Sequence, residues 1–250
     1  MSAHPYWQRG YWAAPVASAL PDVEDLRSHL NAAVAGSRHA APLNRTWRHD
    51  EMRDHPLREW ARALGTRQAI LDAVASAIGP DIYLRNIDVI RLRPLSVLPS
   101  GWHVDRAARN EESDGAVSVW LGLCDVTRRN GCLQLVRGSH REPVGPPRDV
   151  ADMFHGLTKV DPELRDHSHL APGEVIYSEL AAGQFSLHHP NTWHRASANL
   201  TRRYRDAVVF RFFSARLTNA AAGCGEARLV AGRDRARAFR SLEDAPLRIV

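Results

Sequence analysis

Gly115-Ala116-Val117-Ser118-Val119-Trp120-Leu121-Gly122-Leu123 is rich in the β-branched and aromatic residues that suit a pleated strand, and polar stretches flank it on both sides. Outward from it the same pattern recurs. Upstream lies the β-rich run Ile82 to Leu92. Downstream come Gly131 to Val136, Glu174 to Tyr177, Gln184 to Leu187 and Asp206 to Phe213, separated by Gly, Pro, Asn and Asp. Several short strands punctuated in this way indicate an antiparallel sandwich or barrel.

Ahead of Pro80 the pattern is helical. Pro21-Asp22-Val23-Glu24-Asp25 puts proline and acids where a helix begins, and Leu26, Leu30 and Val34 follow at a spacing of four. A second helix is expected from Pro56 to Leu64. A third runs from a Thr66 cap through Ile70, Val74 and Ile78 to the stop at Gly79-Pro80. Helices first and strands afterwards predict an α+β fold with a jelly-roll core and the N-terminal helices packed on its outside. One domain is expected over 1–250: a mainly helical layer over 1–80, the core over 81–216 and a C-terminal extension over 217–250. Within the core, 141–172 is polar and too long for an ordinary connection, which suggests a lid or substrate loop.

Composition bounds the function. With 250 residues, 44% hydrophobic and 24% charged, the chain can bury one substantial core. No run of about 18 apolar residues occurs, and Met1 to Gly10 has neither a basic nor an apolar leader segment, so a cytoplasmic protein without a membrane partner is expected. Cys124, Cys132 and Cys224 are an odd number without CxxC spacing, which argues against a disulfide framework or a zinc site. The net charge of +5 raises the question of nucleic acid. Only Lys159 among the 33 basic residues is lysine, and the arginines are scattered among acids along the whole chain, which argues against such a partner.

The chemistry starts at Trp102-His103-Val104-Asp105. Two positions apart on an extended chain, His103 and Asp105 fall on the same side and can reach one ion. With one more histidine they make the 2-His-1-carboxylate set, which leaves open positions and marks non-haem Fe(II) oxygenases. The segment Gln184 to Asn199 offers His188, His189 and His194, whereas His39, His49 and His55 read as surface or loop histidines.

The succession of HxD, the strand with Trp120, Asn130-Gly131, Arg137-Gly138-Ser139-His140, His194-x-x-Ser197-x-Asn199 and a distal arginine resembles the phytanoyl-CoA dioxygenase family of Fe(II)/2-oxoglutarate-dependent oxygenases. The likeness covers roughly Arg93 to Phe213. It implies a double-stranded β-helix with Fe(II) near one open end, held by His103, Asp105 and His194; His189 is the rival third ligand. It implies that Arg205, eleven residues beyond His194, grips the far carboxylate of 2-oxoglutarate, with Arg203 as fallback. A guanidinium suits that task because it donates two parallel charge-assisted bonds. Trp120 is expected beside the site, and Arg93 is a candidate for cosubstrate or substrate contact. The family's chemistry consumes O2, turns 2-oxoglutarate into succinate and carbon dioxide, and hydroxylates an unactivated C–H bond. Halogenating relatives carry a small residue where this chain has Asp105, so hydroxylation, or a desaturation or cyclisation variant, is the expectation here.

Arg106 and Arg109, followed by Glu111-Glu112-Ser113-Asp114, lie where substrate would approach. They point to a polar or zwitterionic small molecule of amino acid or nucleoside type. An acyl-CoA thioester is the alternative within the family, and a non-catalytic jelly-roll metal- or ligand-binding protein the alternative outside it. Locally, Asn130-Gly131 reads as a turn and Gly138-Ser139-His140 as a structural corner in which His140 is not a ligand. Oligomeric state is not legible.

Overall fold

The computed structural model describes residues 4–35, 45–47, 57–105, 115–141, 175–216, 226–234 and 240–241. Four α-helices lie among them: α1 (Pro5–Arg9), α2 (Val23–Ala35), α3 (Leu57–Gly65) and α4 (Gln68–Ile78). Proline opens α1 and Gly10 closes it in the left-handed conformation. Thr66 does not cap α4 as expected. Its hydroxyl donates back to the Ala63 carbonyl at 3.1 Å, closing α3, and Arg67 holds the cap position of α4 without a side-chain bond. A short hydroxyl side chain can serve only one of the two adjacent helix ends.

The strands are β1 (Tyr11–Ala13), β2 (Arg45–Trp47), β3 (Ile82–Leu92), β4 (Ala116–Gly122), β5 (Leu133–Val136), β6 (Val175–Ser178), β7 (Phe185–His188), β8 (His194–Ala196), β9 (Arg205–Ser214), β10 (Glu226–Ala231) and β11 (Arg240–Ser241). The major sheet runs β1-β7-β4-β9-β3-β10-β11, with β2 also on β3, and the minor sheet runs β6-β5-β8. All pairs are antiparallel except β10 with β11. Two such sheets face to face, with helices on the outside, are the α+β jelly roll that the strand pattern and the family resemblance led us to expect. Five short strands escaped the sequence reading, His194–Ala196 and Arg240–Ser241 among them. Tyr11–Ala13 and Arg45–Trp47 come from the stretch expected to be mainly helical, and Glu226–Ala231, from the C-terminal extension, pairs with β3.

Period-two alternation decides which side chain faces which layer. On β9, Val208, Phe210 and Phe212 join Ile87, Val89, Val119, Leu121 and Leu187 under the helices, against Leu30, Leu57, Leu64, Ile70 and Val74. Each such side chain, fully buried, contributes roughly 1.5–3 kcal/mol. The other face of the sheet turns toward the minor sheet, where Trp120, Ala207 and Val209 pack on Leu133 and Leu135. Cys124 and Cys132 are free thiols. Among the described residues no helix is long and apolar enough to cross a membrane. The histidines at 39, 49 and 55, Arg106, Arg109, the acids from 111 to 114, Cys224 and the stretch 142–172 lie outside the described residues.

Candidate metal centre

The HxD stretch is annexed to the minor sheet. Trp102 is buried, with Arg195 4.8 Å above its ring. His103 forms an isolated bridge with His194, the first residue of β8, through two backbone bonds of 2.9 Å, and the Asp105 N–H donates to the Pro190 carbonyl at 2.8 Å. One ligand atom from each of His103, Asp105 and His194 lies within 4.8 Å of the other two. Donors about 2.1 Å from one ion and at right angles to each other, as in a facial set, stand roughly 3 Å apart, so the three ligand atoms would draw together on binding a metal.

Both imidazoles are oriented by a carbonyl. His103 Nδ1 lies 2.9 Å from the Gly101 oxygen, and His194 Nδ1 lies 2.8 Å from the Thr192 oxygen. Since a carbonyl only accepts, each Nδ1 carries the proton and each Nε2 offers its lone pair, as a metal requires. Burial lowers the pKa of His103, and burial together with His103 and His188 holds that of His194 well below the ordinary imidazole value. Burial by itself would push Asp105 up, yet Arg211, then His188 and His194, hold it well below the usual carboxylate range. The ligand set is therefore two neutral imidazoles and a carboxylate.

Asp105 is held on both oxygens. Ser118 donates to Oδ2 at 2.6 Å, His188 Nε2 lies 3.2 Å from the same oxygen, and Arg211 Nη2 donates to Oδ1 at 3.1 Å. Sequence reasoning missed all three of these partners. Arg211 carries a signal in retrospect: it follows Arg205 by six residues on one strand and so shares its face. His188 is thus a neighbour of the proposed ligands. His189 lies in a different group, its ring 5.1 Å from His140, 5.8 Å from Tyr6 and 5.9 Å from Trp7.

Arg205 opens β9 with its side chain on the inner face, 2% exposed, while Arg203 is exposed. Its guanidinium carbon stands 5.1 Å from the centre of the Trp120 ring, so those two expected residues meet. Nε and Nη1 of Arg205 are buried without a hydrogen-bond partner, and burial pushes its pKa down to about 10. A desolvated guanidinium with two idle donors is what a buried carboxylate would complete. Gly131 makes room for it. With φ at 101°, its missing Cβ would fall 2.4 Å from a Leu92 methyl and 3.4 Å from Arg205 Nε, so the turn glycine also shapes the pocket. Arg93 lies exposed just beyond β3, and its carbonyl accepts from Asn199 at 2.9 Å. Asn199 also donates to the Arg203 carbonyl at 2.9 Å, which ties the ends of β3 and β9 together beside Arg205.

A sequence model of the phytanoyl-CoA dioxygenase family matches residues 17–207, more than half of the chain. The chain belongs to the phytanoyl-CoA dioxygenase family. Within it, a probable alpha-ketoglutarate-dependent hypophosphite dioxygenase of Stutzerimonas stutzeri is 27% identical over 135 residues, 53% of this chain and 45% of that protein. The human peroxisomal phytanoyl-CoA dioxygenase is 26% identical over 165 residues, 60% of this chain and 45% of that protein. The chain thus spans less than half the length of these two relatives. Among solved structures, the nickel complex of ThoJ, a non-heme monooxygenase, matches with a TM-score of 0.66 at 25% identity, over 95% of this chain and 86% of that one.

Proposed function

We propose that this member of the phytanoyl-CoA dioxygenase family is an Fe(II)- and 2-oxoglutarate-dependent dioxygenase that hydroxylates an unactivated C–H bond of a polar small molecule. The observation that carries the reading is the convergence of His103, Asp105 and His194 to within 4.8 Å inside the jelly roll. The residues fit the absent groups: two neutral imidazoles and a carboxylate suit Fe(II), and the two idle donors of Arg205 suit the far carboxylate of 2-oxoglutarate. Bound together, iron and 2-oxoglutarate would supply the oxidation, one oxygen atom of O2 entering the substrate and the other entering succinate as carbon dioxide leaves.

The chain's own residues do the rest. Gly101 and Thr192 carbonyls aim the two imidazoles, Ser118, His188 and Arg211 hold the Asp105 carboxylate, Arg205 anchors cosubstrate, and Trp120 covers the guanidinium and keeps water from it. Burial makes each of these charges act through a medium less polar than water. Arg106 and Arg109, close in sequence to Asp105, are the candidates for substrate contact and favour a polar or zwitterionic molecule of amino acid or nucleoside type. A cytoplasmic location without nucleic-acid or membrane partners belongs to the same reading and rests on composition.

The test is succinate release from 2-oxoglutarate with Fe(II), run against amino acid, nucleoside and acyl-CoA panels, with mass detection of a product heavier by about 16 for one oxygen atom. Wild-type chain is expected to release succinate in an Fe(II)-dependent manner and faster with a matching substrate. The His194→Ala variant is expected at background. Succinate release by His194→Ala at the wild-type rate would remove the ligand assignment.

A further inference from the structure

Around the metal centre Ser118, His188, His194 and Arg205 are buried, and the Asp105 side chain keeps only 4% of its surface. Arg211 keeps 20% and its partner Asp88 keeps 10%. Asp88 lies on β3 between Ile87 and Val89, which face the helices, so its own side chain faces inward like that of Arg211 on the adjoining β9. The open surface of the pair therefore borders the space between the two sheets. Both groups also have bonding capacity left over. A guanidinium has five N–H groups. In Arg211 one on Nη1 donates to Asp88 Oδ2 at 2.5 Å and one on Nη2 donates to Asp105 Oδ1 at 3.1 Å, while the rest have no partner among the described residues. Asp88 Oδ1 accepts from none of these residues either. The partly exposed Asn86, directly across from Arg211 on β3, likewise has a side-chain amide without a partner among them.

We propose that Arg211 and Asp88 together receive the head group of a zwitterionic substrate, an α-amino acid. The open N–H groups of Arg211 donate to its carboxylate, and Asp88 Oδ1 accepts from its ammonium. Taken together the pair carries no net charge. A lone anion or a lone cation set against it meets one favourable and one unfavourable charge, whereas a molecule with both signs on neighbouring atoms satisfies both and buries no net charge. Asn86 adds a neutral contact at the same place. Because Arg211 also holds Asp105, the head group comes to lie one guanidinium away from a metal ligand. An acyl-CoA thioester has no ammonium and a nucleoside has no carboxylate, so each leaves one half of the pair unmet. The proposal rests on the metal-centre reading above and deepens it by naming the substrate class and the residues that select it.

The test is calorimetric titration of the full chain, loaded with Ni(II) and 2-oxoglutarate so that binding is read without turnover. The probes are the genetically encoded L-amino acids one at a time, then the N-acetyl and methyl ester forms of those that bind. At least one free amino acid is expected to bind, and each blocked form about 30-fold less tightly or worse, because it leaves one charged partner unmet. Asp88→Asn keeps an acceptor for Arg211 and removes the charge. It should lower the affinity for the free amino acid without lowering that for the N-acetyl form. A pair with a structural role alone would lower the melting temperature in Asp88→Asn and leave that discrimination untouched, which overturns the proposal. Equal affinity of the wild-type chain for free and N-acetyl forms overturns it too, whether or not the variant folds. So does a chain that takes up Ni(II) and 2-oxoglutarate but none of the amino acids, a result that leaves the oxygenase reading standing. A chain that takes up no Ni(II) loses the metal centre itself, and this proposal with it.

Discussion

The two faces of the major sheet are built from the same strands and have opposite chemistry. On β9, Val208, Phe210 and Phe212 point toward the helices and are buried among aliphatic side chains, while Arg205 and Arg211 point the other way. On β4, Val117, Val119 and Leu121 face the helices, whereas Ser118 and Trp120 face the site. Where the outer face is apolar it needs only shape and volume, because apolar contacts have no direction. On the inner face each polar group must be paired, and most are: Arg211 with two carboxylates, Asp105 with three donors, His103 and His194 with carbonyls. Arg205 departs from that order, with Nε and Nη1 idle in a buried setting. The function-bearing face is thus recognised by buried donors it leaves open, whereas on the helix side the buried Asp206 of β9 is paired with Arg91 and with Arg27 of α2.

If the two faces divide labour in this way, mutations should separate stability from binding. Phe210→Ala on the helix side is expected to cost about 3–5 kcal/mol of stability in denaturant melts, while the protein that remains folded keeps its 2-oxoglutarate affinity by calorimetry. Lost affinity at unchanged stability would break the division. Arg205→Gln should do the reverse, costing about 2–5 kcal/mol of cosubstrate binding on the metal-loaded chain. The ligand-free protein should melt no lower than wild type, because the variant removes a buried charge whose Nε and Nη1 have no hydrogen-bond partner. A melting temperature lowered by several degrees would mean that Arg205 has a structural partner, and unchanged cosubstrate affinity would move the anchoring role to Arg203. Gly131→Ala sharpens the boundary, because a Cβ there would meet both Leu92 and Arg205. It should lose about 1–3 kcal/mol of stability from the positive φ and close contact, together with a smaller fall in cosubstrate affinity than Arg205→Gln.

Much of this division can be read along the chain. The strands at Ile82–Leu92, Ala116–Gly122 and Arg205–Ser214 announce themselves by length and composition, and the HxD spacing puts His103 and Asp105 on one side. The choice of His194 and Arg205 came from the family resemblance. Four of the missed strands, β1, β2, β8 and β11, have two or three residues, too few for alternation to show, while β10 has six. His188 was one of three equivalent histidines in the sequence, and only the pairing of β7 with β4 puts it against Asp105. Ser118 had no distinguishing mark at all.

The sequence by itself determined the alternation of each long strand, the division into helices followed by strands, and the local spacing of HxD, because these depend on residues within a few positions of one another. Only the tertiary structure decided that Ser118, His188 and Arg211 form one row behind Asp105, that Arg205 meets Trp120, and that Gly131 gives it room. Those meetings depend on register between strands far apart in the chain. A slip of one residue turns every side chain to the opposite face, so no local pattern can encode them.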